Sequence, residues 1–160
     1  MMITPTENMA EIIPVFNTYL AYMSQFYSIH DYDSWCEGAL KHLNRYFMDD
    51  DHAVYVVREK DEIIGFSLIN KHLRFNKHGY AVAEFYIQKD HERKGYGRML
   101  AEYVFDTYPG PWEVTVAMKN NSARMFWKQV VSLYTHDHFL EKQTPSFDGY
   151  GILFNNAGHM

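Results

Sequence analysis

The sequence predicts one mixed α/β domain, and three observations lead there. Apolar residues recur at helical spacing in four separate stretches, runs rich in β-branched and aromatic residues lie between them, and no Pro-, Gly- or Ser-rich stretch divides the chain. With 160 residues, 47% of them hydrophobic and 22% charged, there is enough chain for one core and too little for two, so residues 1–160 are expected to form a single domain.

The first helix is expected to start at Thr4-Pro5-Thr6-Glu7, with Thr4 as N-cap, Pro5 at the first helical position and Glu7 closing a capping box. Ile12, Phe16, Tyr19, Leu20, Met23 and Tyr27 continue it on one face, and Pro14 is expected to kink or divide it. Ser34-x-x-Glu37 reads as the start of a second helix, which carries Ala39, Leu40, Leu43, Tyr46 and Phe47. The pattern then changes to strands. His52 to Arg58 and Ile63 to Asn70 flank the polar Glu59-Lys60-Asp61-Glu62 as a hairpin, and Tyr80 to Gln88 makes a third strand.

That strand runs into HERKGYGRML, His91 to Leu100. From Gly97 the spacing of Met99, Leu100, Tyr103, Val104 and Thr107 is helical until Tyr108-Pro109-Gly110-Pro111 stops it. A short strand, Trp112 to Met118, precedes Asn120-Asn121-Ser122 and the clearest helical stripe in the chain: Ala123, Phe126, Trp127, Val130 and Val131. Two strand-like stretches, roughly Leu133 to Lys142 and Tyr150 to Phe154, close it, so helices alternate with strands around a mixed sheet.

A net charge of −5 with no long basic block argues against nucleic acid and suits a cationic acceptor better than an anionic polymer. The single cysteine, Cys36, cannot form an internal disulfide, and no leader or long apolar span is recognisable, so a soluble cytoplasmic protein without membrane contact is expected. His136-x-His138 and His30-Asp31 lack the spacing of a metal site, and no metal is expected. Many of the aromatic residues crowd the N-terminal region as Tyr19, Tyr22, Phe26, Tyr27, Tyr32 and Trp35, where they can pack a core or line a pocket.

The chemistry-bearing motif is the glycine turn. Where a strand ends and a helix begins, the first backbone N–H groups have no intrahelical acceptor and carry the positive end of the helix dipole. Glycine at 95 and 97 would let a phosphate approach that backbone, with Arg93, Lys94 and Arg98 adding charge. Taken alone, a GxG is more often a tight turn with solvated basic residues, and this one is neither a Walker A loop nor the three-glycine dinucleotide fingerprint.

The order of elements strengthens it: hairpin, strand, glycine turn, helix, strand, then Asn120-x-x-Ala123-x-x-Phe126-Trp127. In this arrangement the chain resembles the GNAT acetyltransferase superfamily over most of its length. The resemblance implies a central mixed, mostly antiparallel sheet, splayed between its fourth and fifth strands and flanked by about four helices, that binds acetyl-CoA. It places the backbone of Phe85, Tyr86 and Ile87 against the acetyl group and pantetheine arm, and Arg93, Lys94, Gly95, Tyr96, Gly97 and Arg98 around the pyrophosphate. Asn120 would bond the pantetheine arm, and Ala123, Phe126 and Trp127 would set the fourth helix beside the thiol end.

Two residues depart from the family pattern. Glu92 stands where the family has Gln or Arg, and Trp127 where many members have a tyrosine thought to protonate the departing thiolate; an indole cannot act as an acid near neutral pH. Either water or another tyrosine, with Tyr86 and Tyr134 as the candidates, would supply that proton, or the thiolate would leave without specific help.

Transfer to an amine needs a base, because alkyl amines are mostly protonated near pH 7. Glu84 places an acid in an otherwise apolar strand, which is costly unless it faces a cleft or a partner; Glu113, with Thr115 on the same face, is the second candidate. The implied activity is acetyl transfer from acetyl-CoA to an amine-bearing small molecule or peptide. The two departures support a rival, a non-catalytic acyl-CoA-binding or interaction module. A homodimer is compatible with the sequence.

Overall fold

The computed structural model describes residues 1–91 and 94–158, so Glu92 and Arg93 of the glycine motif lie outside the described residues. A seven-stranded sheet runs in the order β1-β2-β3-β4-β5-β7-β6, with β1 Met2–Pro5, β2 Ala53–Glu59, β3 Glu62–Asn70, β4 Tyr80–Ile87, β5 Pro111–Ala117, β6 Leu140–Thr144 and β7 Phe147–Asn155. Helices α1 Met9–Met23 and α2 Tyr32–Met48 cover one face, and α3 Tyr96–Thr107 and α4 Asn121–Thr135 the other. Among these strands only β4 and β5 pair parallel, which α3 makes possible as the crossover between them.

Strand alternation feeds both cores at once. In β2, Val54 and Val56 pack under α1 and α2 with Ile12, Phe16, Leu43 and Phe66, whereas Tyr55 and Val57 join Leu100, Phe105, Trp112, Val131 and Ile152 under α3 and α4. A sheet buried on both faces explains why its strands read as nearly continuous apolar runs.

The N-terminus corrects the expected helix start. Met2–Pro5 is an edge strand antiparallel to β2, with Ile3 opposite Val57, and after Pro5 the N–H of Thr6 still donates to the Val54 carbonyl at 3.0 Å. The cap is Asn8, whose Oδ1 accepts the Ala10 N–H at 3.2 Å. Pro14 does not divide α1: it sits on the exposed face, where the carbonyl left without its N–H partner, that of the exposed Ala10, can turn to water.

The second helix also starts earlier than expected, with Asp31 as N-cap accepting from both the backbone N–H and the hydroxyl of Ser34. The stretch expected as a strand from Leu133 begins instead as the last turn of α4. His136 and Asp137, both at positive φ, end that helix before β6 starts at Leu140.

Candidate functional site

The sheet opens in its middle. β4 and β5 pair only at Tyr80–Val82 with Trp112–Val114; beyond that, residues 83–87 and 115–117 diverge with no ladder recorded between them. A strand edge left unpaired beside a helix pair offers backbone donors and acceptors to an extended ligand.

A bulge sits at the start of this opening. Leu68 faces Glu84 across the β3–β4 ladder, but the next pair is Ile69 with Val82, so β4 carries one extra residue, Ala83. Ala83 and Glu84 therefore both turn toward α1 and α2, while Phe85 and Ile87 pack on the α3–α4 side. Tyr86 falls on the α1 side, among the rings of Tyr19, Tyr22 and Phe66.

At the far end of the opening, Gly95 is the N-cap of α3 in the left-handed region, at φ 80°, and the N–H of Met99 is bonded to its carbonyl. The N–H groups of Tyr96, Gly97 and Arg98 thus precede the first intrahelical bond, in a turn that carries no acid. This end of the opening fits a phosphate.

The two glycines serve different needs. Gly95 is required by its φ and a Cβ there would meet nothing, whereas a Cβ on Gly97 would lie 3.0 Å from two ring atoms of Phe126. The second glycine lets α4 close on α3.

The cations of the turn are partly committed. Arg98 pairs with Glu102 at 3.1 Å, and Lys94 lies 3.9 Å from Glu59 at the end of β2. His91 reaches the same carboxylate, which the hydrogen bond from Tyr96, together with Lys94 and His91, holds below the usual range. Backbone amides therefore carry most of the anion-binding capacity here.

Asn120 caps α4, its Oδ1 accepting the Ala123 N–H at 3.1 Å, and is almost fully buried. Trp127, one helical turn beyond Ala123, packs edge-on against Phe85 with ring centroids 4.7 Å apart and touches Phe105 and Phe126. Its place is in the core that ties α4 to β4. Tyr134 donates to Asp106 at 2.7 Å and accepts from Asn156 at 3.1 Å. Burial, aided by Asp106, pushes it up to about 12, which makes it a poor proton donor at neutral pH.

Between α1 and α2 lies a cavity of about 460 Å³, with Glu84 among its lining residues. The Tyr19 hydroxyl donates to Glu84 Oε2, and burial pushes this carboxyl up to about 8. Of the aromatic residues crowded near the N-terminus, Tyr19, Tyr27 and Trp35 line the cavity together with Phe16, whereas Tyr22, Phe26 and Tyr32 are not among its lining residues.

Glu113 has a different use. It is 1% exposed, and its carboxylate accepts from the backbone N–H groups of Arg74 at 2.8 Å, Phe75 at 3.1 Å and Asn76 at 2.6 Å, and from Asn76 Nδ2 at 2.9 Å. It anchors the β3–β4 connection, a structural use that stands beside the sequence reading of Glu113 as a second base.

The sequence and the fold were compared with known proteins. A model of the acetyltransferase (GNAT) family matches residues 14–130. The chain belongs to the GNAT acetyltransferase family. A search of curated proteins returned no match. The fold is similar to that of an acetyltransferase from Thermus thermophilus, with TM-score 0.69 and 13% identity over 97% of each chain. It is similar also to the PaiA N-acetyltransferase from Thermoplasma acidophilum in complex with coenzyme A, with TM-score 0.65 and 15% identity over 97% of this chain and 99% of that one. An aminoglycoside 6'-N-acetyltransferase from Acinetobacter haemolyticus gives TM-score 0.57 and 12% identity over 81% of this chain and 89% of its own.

Within this GNAT fold the described part of the glycine turn follows the unpaired residues 85–87, and Asn120 follows the diverging end of β5. Two features had no readable signal in the sequence: the extra residue that turns Glu84 and the Tyr19 hydroxyl that meets it. Tyr19 was visible only as one residue of an apolar helix stripe and of the aromatic crowd that could pack a core or line a pocket. No helix among the described residues is long and apolar enough to cross a membrane.

Proposed function

We propose that this GNAT domain is an acetyl-CoA-dependent N-acetyltransferase that passes the acetyl group directly to an amine-bearing small molecule or peptide, with Glu84 as general base. The observation that carries this reading is the bulge in β4, which puts a carboxyl in an aromatic cavity one residue ahead of the unpaired Phe85–Ile87 edge.

Acetyl-CoA supplies the acetyl group as an activated thioester. The amides opening α3 and the glycine turn hold the pyrophosphate, the free edge of 85–87 orients the acyl end, and Trp127 keeps α4 against β4 beside it. Glu84 accepts the proton lost by the amine nitrogen as the C–N bond forms and the C–S bond breaks. The sulfur leaves with the bonding electron pair and takes up one proton, so the balance is one amine and one thioester to one amide and one thiol. Water suffices as that donor, because a thiol is acidic enough to leave as thiolate near neutral pH.

A carboxyl near 8 suits this task. Its proton affinity approaches that of the amine without exceeding it, and it is close to a working pH. The buried indole of Trp127 and the committed hydroxyl of Tyr134 favour the second reading, an acyl-CoA-binding module without turnover.

Thiol release from acetyl-CoA across a panel of amines separates the two. Glu84→Gln should lower kcat by about a hundredfold at unchanged acetyl-CoA affinity, and should remove a rise in kcat/KM centred near pH 8. An unaltered pH profile in that variant removes Glu84 from the mechanism, and acetyl-CoA binding without thiol release from any amine supports the module.

A further inference from the structure

We infer that the cavity between α1 and α2 takes a primary amine borne on a single apolar body the size of an aromatic ring, and discriminates against polyamines and aminoglycosides. The inference rests on the acyl-transfer reading of the same site and specifies its acceptor.

The lining carries the argument. Phe16, Leu20, Leu43 and Tyr19 are nearly fully buried beside the cavity, and Met23 and Trp35 extend the apolar wall toward its mouth. Glu84 is the one acid among the described residues that line it, and Tyr19 already holds one of its oxygens. One ammonium can therefore be matched, by the carboxyl and by aromatic faces that attract cations. A second or third ammonium on the same molecule would lose water to a mostly apolar wall with no second carboxyl among the described lining residues to pair it. At about 460 Å³ the space lies within the range of small-ligand sites and would hold a ring with a short alkyl chain.

Gly38 supports the same conclusion independently. It stands inside α2 at the cavity mouth, at a position where a Cβ would meet no atom within 4 Å. Glycine is a poor helix former, and here neither positive φ nor close packing requires it. Its absent side chain leaves an opening, and any larger residue would grow into the entrance.

The test is equilibrium binding of 2-phenylethylamine, spermidine and kanamycin to the full chain by calorimetry, with acetyl-CoA affinity measured in parallel. Phenylethylamine is expected to bind at least about tenfold more tightly than the other two. Gly38→Leu should weaken it by about tenfold or more, with acetyl-CoA affinity and circular dichroism unchanged, and Gly38→Ser should weaken it less.

Spermidine or kanamycin binding as tightly as phenylethylamine overturns the inference, as does phenylethylamine affinity that ignores Gly38→Leu. Should Gly38→Leu fail to fold, the ranking of the three amines on the unaltered protein decides. Phenylethylamine that binds as expected yet is never acetylated upholds the cavity assignment and strikes the acyl-transfer reading instead.

Discussion

Glu84 and Glu113 stand on neighbouring strands in the middle of one sheet, and the two carboxyls have opposite employment. Glu113, opposite Ala81 in the β4–β5 ladder, is the more deeply buried, yet three backbone N–H groups and an amide converge on it and pin the 74–76 segment. Glu84 faces a cavity whose walls are mostly hydrocarbon and has a tyrosine hydroxyl as its recorded donor. Depth of burial does not by itself decide what a carboxyl does. The donors that meet it matter as much, because each fixed donor replaces a lost water.

The largest expected effect breaks the structural side of this comparison. Glu113→Ala strands several N–H donors of the β3–β4 connection and should cost about 3 kcal/mol, read as a lower urea midpoint with unchanged m-value. Folded Glu113→Ala should still turn over. A loss of turnover at unchanged stability would keep Glu113 on the list of candidate bases.

The reactive side breaks next. Glu84→Gln, expected to cost about a hundredfold in kcat or about 2.7 kcal/mol in the barrier, should leave the urea midpoint near that of the unaltered protein at low pH. A large stability loss there would mean that Glu84 is an anchor like Glu113.

A third measurement sharpens the contrast through pH. Glu84 is raised from an ordinary value of 4.5 to about 8, so between those values the folded protein holds a proton that the unfolded chain releases. Its contribution to stability is therefore most favourable below about 4.5, falls as pH rises and levels off above about 8. The slope is at most about 1.4 kcal/mol per pH unit and is smaller for a half-buried group. Tyr19 from α1, Tyr27 after it and His42 from α2 are the other titratable groups that line the same cavity. The difference in unfolding free energy between the unaltered protein and Glu84→Gln should show this decline; a flat difference would mean that the carboxyl is charged at neutral pH.

The smallest effect concerns the cavity mouth. Gly38→Ala should stabilise the protein by about 0.5–1 kcal/mol, because the new methyl meets open space. Destabilisation would show that Gly38 serves packing after all.

Local patterns account for most of what was legible. The stripe Ala123, Phe126, Trp127, Val130 and Val131 became α4, and the hairpin around Lys60-Asp61 formed where its polar residues interrupted two apolar runs. Errors fell where local signals conflicted. Thr4-Pro5 imitates a helix start, but pairing of Ile3 with Val57 drew it into the sheet, and the cap passed to Asn8.

Cys36, Glu84 and the glycine turn were equally visible as residues, but only the turn carried a spacing tied to a function. Gly97 then proved to be held by the ring of Phe126, a long-range contact that no local pattern encodes.

The sequence by itself determined the alternation of helices and strands and the family of the chain, because periodicity, glycine turns and helix caps are properties of near neighbours in the chain. Tertiary structure alone decided which acid faces a cavity and which is held by loop donors. Whether Glu84 faces an apolar cavity or Glu113 meets four donors depends on one extra residue in β4 and on loop atoms 37 to 39 positions away in sequence. A carboxyl's proton affinity is set by what surrounds it in space, and that is fixed only when distant segments meet.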